Sequence, residues 1–241
     1  MVLNNPFKAT HMNDALILYD PTGFLTQLQK AVRPVYMQPQ WLDKRLSFWL
    51  ESIRMTLAQF REAVIAEDAL RICAALGLFT FGCSSIPLLR AGITPSSSRG
   101  LLLLGPIAPT LKAQLAEFEG SAHMTASDVL ALEPLLHEAT PLYDAAFGQL
   151  PLYLLPKTLW MAQHGHHQEA LHTMWLNMGG GAAQGCLQRN DPVELVVGTD
   201  LMQRWLQRTS FAGAEVWAVK LQSAELLLQQ VEGVVRESRR G

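Results

Sequence analysis

The chain has few of the features that most often announce a function. Its three cysteines, Cys73, Cys83 and Cys186, form neither an even set nor a Cys-x-x-Cys pair. That excludes a disulfide framework or a thiolate metal clamp and fits a reducing, cytoplasmic compartment. Charge is sparse at 17% of residues and nearly balanced, with 19 basic against 21 acidic side chains, so neither bulk nucleic acid nor an anionic membrane is an expected partner. Repeats of fixed period are missing, as are the phosphate-loop, nucleophile-elbow and His-Glu-x-x-His signatures. No basic region joined to an apolar run opens the chain, so no signal peptide is expected. A long stretch without charge, residues 72–89, is interrupted by Gly77, Gly82, Ser84, Ser85 and Pro87. Its apolar part ends near Phe81, which reads as a buried helix followed by a loop rather than a membrane span.

What is present is apolar content. Of the 241 residues, 49% are hydrophobic, enough for a substantial core without a metal or a disulfide. Residues 1–13 carry no pattern and read as a tag or a disordered terminus, with His11-Met12 in the form of a junction ahead of a start at Met12. Residues 15–19 are a short apolar run stopped by Asp20-Pro21-Thr22-Gly23, a turn in which proline presets φ and glycine takes the permissive position. This is the one segment expected to be a strand.

From Trp41 onward the period becomes helical. Leu42, Leu46, Trp49, Leu50, Ile53, Leu57, Phe60 and Val64 recur at three and four, and Lys44, Arg45, Glu51, Arg54, Arg61 and Glu62 are assigned to the other face. Glu67-Asp68 opens a second helix, apolar nearly all round and so expected at the centre of a bundle. Ser127 starts another, and further helical runs are read at 156–164, 167–178, 193–208 and 213–236. The expected fold is all-α, a multi-helix bundle with a short N-terminal extended segment. Residues 14–120 would form an N-terminal bundle carrying the strand, and 121–241 a C-terminal helical subdomain.

Two clusters carry candidate chemistry. His164, His166, His167 and His172 fall within nine residues, but Gly165 separates two helices there, and the five-residue step from His167 to His172 points the rings apart. No metal and no other cofactor is expected from them, since neither thiolates nor a carboxylate cage accompany the rings. Arg54 and Arg61, two turns apart on one helix, together with Asp68 and Arg99, are the candidate ligand-binding set. Arginine takes phosphate through paired charge-assisted hydrogen bonds, so a phosphate-bearing small molecule is the expected ligand. The competing reading is a solvated face with ion pairs to Glu62 or Asp68. Gly179-Gly180-Gly181, lacking a lysine and a strand, reads as a helix break or a close helix contact. Trp49 and Phe60 read as core.

The order of these features resembles one layout. Leu18-Tyr19-Asp20-Pro21-Thr22-Gly23, a Trp-led helix with Arg54, Glu67-Asp68, and then Leu88-Leu89-Arg90-Ala91-Gly92-Ile93-Thr94-Pro95 with Arg99 look like part of a bacterial nucleotidyltransferase-superfamily protein of the aminoglycoside type. The part resembled is the all-helical, substrate-binding domain that follows the catalytic core. Residues 165–171 suit its later helices. The resemblance implies a small-molecule or nucleotide-binding domain. It departs at the catalytic motif, a Gly-Ser turn followed by Asp-x-Asp or Asp-x-Glu carboxylates that hold magnesium. Here Gly120-Ser121 leads into Ala122-His123-Met124, and Glu117-Phe118-Glu119 precedes it. The Arg-x(4–6)-His motif of the small helical nucleases that partner minimal nucleotidyltransferases has no counterpart either. Autonomous catalysis is therefore not expected. The alternatives are a transferase completed by a catalytic partner chain or N-terminal domain, and a helical scaffold or homodimer that binds proteins.

Overall fold

A computed structural model describes residues 12–13, 15–96, 99–143 and 150–238. The period-3.6 pattern from Trp41 becomes helix α2, Pro39–Ile65, preceded by a shorter α1, Phe24–Val32. Proline at the first turn of α2 suits a position whose N–H has no intrahelical acceptor. The chain reverses over three residues, with Glu67 in the left-handed region at φ 52°. Asp68 then caps α3, Ala69–Arg90, by accepting a 3.0 Å hydrogen bond from the Arg71 N–H. So short a connection makes α2 and α3 antiparallel neighbours.

Helix α3 is longer than its sequence suggests: instead of giving way to a loop after Phe81 it continues to Arg90 with Pro87 in its last turns. The small residues that look like breakers serve packing. A Cβ on Gly82 would lie 2.6 Å from Ile53 of α2, and the Ser84 and Ser85 hydroxyls donate back to the Phe81 carbonyl at 2.9 and 2.6 Å. The helix is long and apolar enough to cross a membrane, and most of it is buried inside the protein.

Around α3 stand α4 (Gly100–Leu104), α5 (Pro109–Glu119), α6 (Ala126–Leu130) and α7 (Glu133–Ala139). They are followed by α8 (Leu150–Gln163), α9 (His167–Leu176), α10 (Gln184–Arg189), α11 (Pro192–Arg208) and α12 (Ala214–Ser238). Gly165, at φ 86°, parts α8 from α9 as its sequence context predicts. The glycine triplet makes a close contact rather than a break. A π-helical segment, Asn177–Ala183, carries the chain from α9 into α10, and a Cβ on Gly179 would stand 2.1 Å from the Cys73 carbonyl oxygen of α3.

Trp49 and Phe60 are core residues, as expected. One apolar cluster runs from Leu46 of α2 to Val235 of α12. An aromatic chain of Phe79, Phe118, Phe211, Trp175 and Trp205, with ring centroids 5.2–5.9 Å apart, crosses position 120 inside it. The boundary drawn between 120 and 121 falls at Gly120, a left-handed helix terminus with φ 81°.

Residues 15–20 depart from expectation locally. The segment carries no regular secondary structure and bends at Leu18; no strand forms, because no second strand is there among the described residues to complete a ladder. Residues 1–11 lie outside the described residues.

Candidate functional site

The four arginine and carboxylate candidates are not gathered around one cleft. Arg54 donates to Glu232 of α12 through Nε at 3.1 Å and Nη2 at 2.7 Å, and also faces Glu51 at 3.8 Å. Arg61 reaches Glu225 of α12 at 2.8 Å. Their closest partners are more than 160 positions away; among local acids Glu51 faces Arg54, and Glu62 pairs with neither. Asp68 is a helix cap, with Arg71 as its ion-pair partner at 3.3 Å. Arg99 stands exposed at the N-cap of α4. Gly82 receives Ile53 of α2 while Ser84 lies beside Gly100 of α4. Positions two apart on a helix differ by roughly 200°, so Arg99 and Arg54 stand on opposite sides of α3.

The histidines diverge as their spacing implies. His164 stacks on Trp160 at 4.2 Å and places Nδ1 2.7 Å from that residue's carbonyl oxygen. His172 turns inward, its Nδ1 2.7 Å from Glu119 Oε1, and both residues are only 1% exposed. Trp175 donates to the Glu119 carbonyl at 3.1 Å. Next to this pair Lys112 binds Glu169 at 2.6 Å. Burial pushes the Glu169 carboxyl up, but the ammonium bond, a backbone bond and the nearby charges together hold it below the usual carboxylate value. Lys220 of α12 donates to the Glu117 and Phe118 carbonyls at 3.0 and 2.6 Å, closing the end of α5, and burial lowers its ammonium. Among the described residues no three His, Cys, Asp or Glu side chains stand close enough to hold a metal. Burial raises all three thiols, so none is a thiolate at neutral pH. A void lined by Tyr143, Thr158 and Asn177, among others, holds about 10 Å³, room for one water.

Arg45 departs from its assignment to the solvated face, because it is 1% exposed. The signal lay in the spacing: position 45 follows Leu42 by three and precedes Trp49 by four, which puts it on the apolar stripe. Its guanidinium stacks on the Tyr36 ring, 3.8 Å from the centroid, and Nη2 donates to the Tyr36 carbonyl. Nε and Nη1 have no hydrogen-bond partner, and among the described residues no carboxylate pairs with Arg45.

At the other surface of this corner the N-terminal run lies bare. Leu16 is 83%, Leu18 87% and Tyr19 81% exposed. Phe24 of α1 is largely exposed too, and Val32 is that helix's one buried residue. Asp20 serves the turn: its Oδ2 accepts from the Thr26 N–H at 2.8 Å, which holds the carboxyl below its ordinary value. Glutamine 29 ties the run down through its side chain, donating to the Ala15 carbonyl at 2.7 Å. Against this geometry the comparisons are silent: no protein-family model, no curated protein and no solved structure matches the chain.

Proposed function

We propose that this chain is the helical, substrate-binding half of a two-part transferase and that residues 15–25 are where its catalytic half docks. The observation that carries the reading is the uncovered apolar run of Leu16, Leu18 and Tyr19. The run Leu16-Ile17-Leu18-Tyr19 has strand-type sequence and belongs to no ladder, which suits it to complete the edge of a sheet supplied by another domain. Burying three such side chains stabilises an interface by several kcal/mol at about 25 cal/mol per Å². The resemblance to the nucleotidyltransferase layout points the same way, since the run stands where that layout joins its catalytic core.

The division of labour follows from the side chains present. A catalytic half would supply the magnesium-binding carboxylates, and this half would supply a helical wall. The test is Mg²⁺-dependent pyrophosphate release from ATP, with and without a chain or domain that carries Gly-Ser and Asp-x-Asp motifs and is encoded beside this one. Activity is expected only in the pair, and Leu18→Asp should abolish pairing while leaving the melting temperature of this chain unchanged. Pyrophosphate release by this chain alone, lost in Asp20→Asn, would place the active site here and overturn the reading.

A further inference from the structure

We infer that Arg45 and Tyr36 form a closed binding site for a phosphate-type oxyanion at the start of α2, a site independent of how residues 15–25 dock. The first ground is the guanidinium itself. A group that stays protonated at any accessible pH is buried to 1% exposure with Nε and Nη1 unpartnered. A buried cation without a counter-charge is strongly unfavourable, whereas the same cation becomes favourable once an anion fills its free N–H positions. Tyr36 is equally buried and fixes the plane of the guanidinium by stacking and through its carbonyl, so the donors are oriented before any ligand arrives.

The second ground is the local field. Between residues 24 and 45 the chain carries Lys30, Arg33, Lys44 and Arg45 against a single acid, Asp43. An excess of that size favours a dianion over a carboxylate monoanion.

The third is access. The cover over Arg45 is the turn that follows α1. None of Arg33–Val35 is buried, and Val32 and Tyr36 are the two buried residues of the segment 24–38. Met37 rests on the other side of the turn against Gly92, its Sδ 3.5 Å from where a Cβ on Gly92 would be. A segment with so few apolar anchors opens at low free energy, which lets an ion in without unfolding the bundle.

The probe is inorganic phosphate on the full chain, compared with sodium chloride at equal ionic strength and with sodium acetate. Phosphate is expected to raise the melting temperature in proportion to the logarithm of its concentration, with acetate giving a much smaller shift. Arg45→Met should melt at or above the wild type in chloride, because it removes an unpaired charge, and its phosphate affinity by calorimetry should fall roughly tenfold to a hundredfold. Should Arg45→Met fail to fold, Arg45→Lys carries the test: it keeps the charge, loses the planar donors and should bind phosphate roughly tenfold more weakly. No phosphate-specific shift in the wild type, an equal response to acetate, or wild-type affinity in the variant that folds would each overturn the site.

Discussion

Glu119 and His172 show how one contact can decide the use of a cluster that catches the eye in sequence. The 2.7 Å contact ties α5 to α9, and Glu119 Oε2 and His172 Nε2 remain buried without partners. A pair so placed is poorly compensated, so removing one member strands the other. His172→Ala is expected to destabilise the protein by about 3–5 kcal/mol, whereas His172→Phe combined with Glu119→Leu recovers most of that loss. Urea denaturation of the three proteins checks it; a double variant as unstable as the single one would show that packing, not charge, sets the penalty. His172 therefore serves the core, and the histidine-rich stretch divides into one buried structural residue and its solvated neighbours.

Glycine placement governs how the helices cross. Gly179 and Gly77 let the π-helical segment and α3 approach until backbone meets backbone: a Cβ on Gly179 would be 2.1 Å from the Cys73 carbonyl oxygen, and one on Gly77 2.6 Å from that of Trp175. Neither neighbour is a side-chain tip that can turn aside. Gly179→Ala is expected to lower stability by about 2 kcal/mol or more through overpacking. Gly233 in α12 is the contrast, with nothing within 4 Å of a built Cβ. Gly233→Ala should raise stability by about 1 kcal/mol, because only the helix propensity changes. Chemical denaturation of both variants reads the two signs, and a Gly179→Ala protein as stable as the wild type would mean that the crossing is looser than described.

The core does not respect the division drawn at position 120. Aromatic contacts join Phe79 and Phe118 to Phe211 and Trp175 across it, and Arg54, Arg61 and Arg90 of α2 and α3 pair with Glu232, Glu225 and Glu237 of α12. These surface pairs contribute only about 0–1 kcal/mol each, so the shared apolar core is what links the halves. The expected consequence is a single cooperative unfolding transition, with far-ultraviolet circular dichroism and tryptophan fluorescence coincident in urea. Two separated midpoints would divide the chain into units that fold independently.

Helices were legible because burial on one side of a helix leaves a local record every three or four residues. Leu42 to Val64 carries that record in α2, and Asp68 announces the start of α3 through chemistry confined to four residues. Helix α1 leaves a weaker record: Phe24, Leu28 and Val32 repeat at four, but Val32 alone is buried, so little of the helix is fixed by a core-facing pattern. Local pattern says nothing of partners. Arg54 and Arg61 look alike from their own helix whether they await an anion or a carboxylate, and their partners, Glu232 and Glu225, enter from the far end of the chain. Arg45 is the converse, a charge on the apolar stripe whose burial depends on a turn folding over it. Which charged groups are paired, and which is left alone inside, is settled by long-range packing, since electrostatic neighbours are chosen by distance in space rather than along the chain.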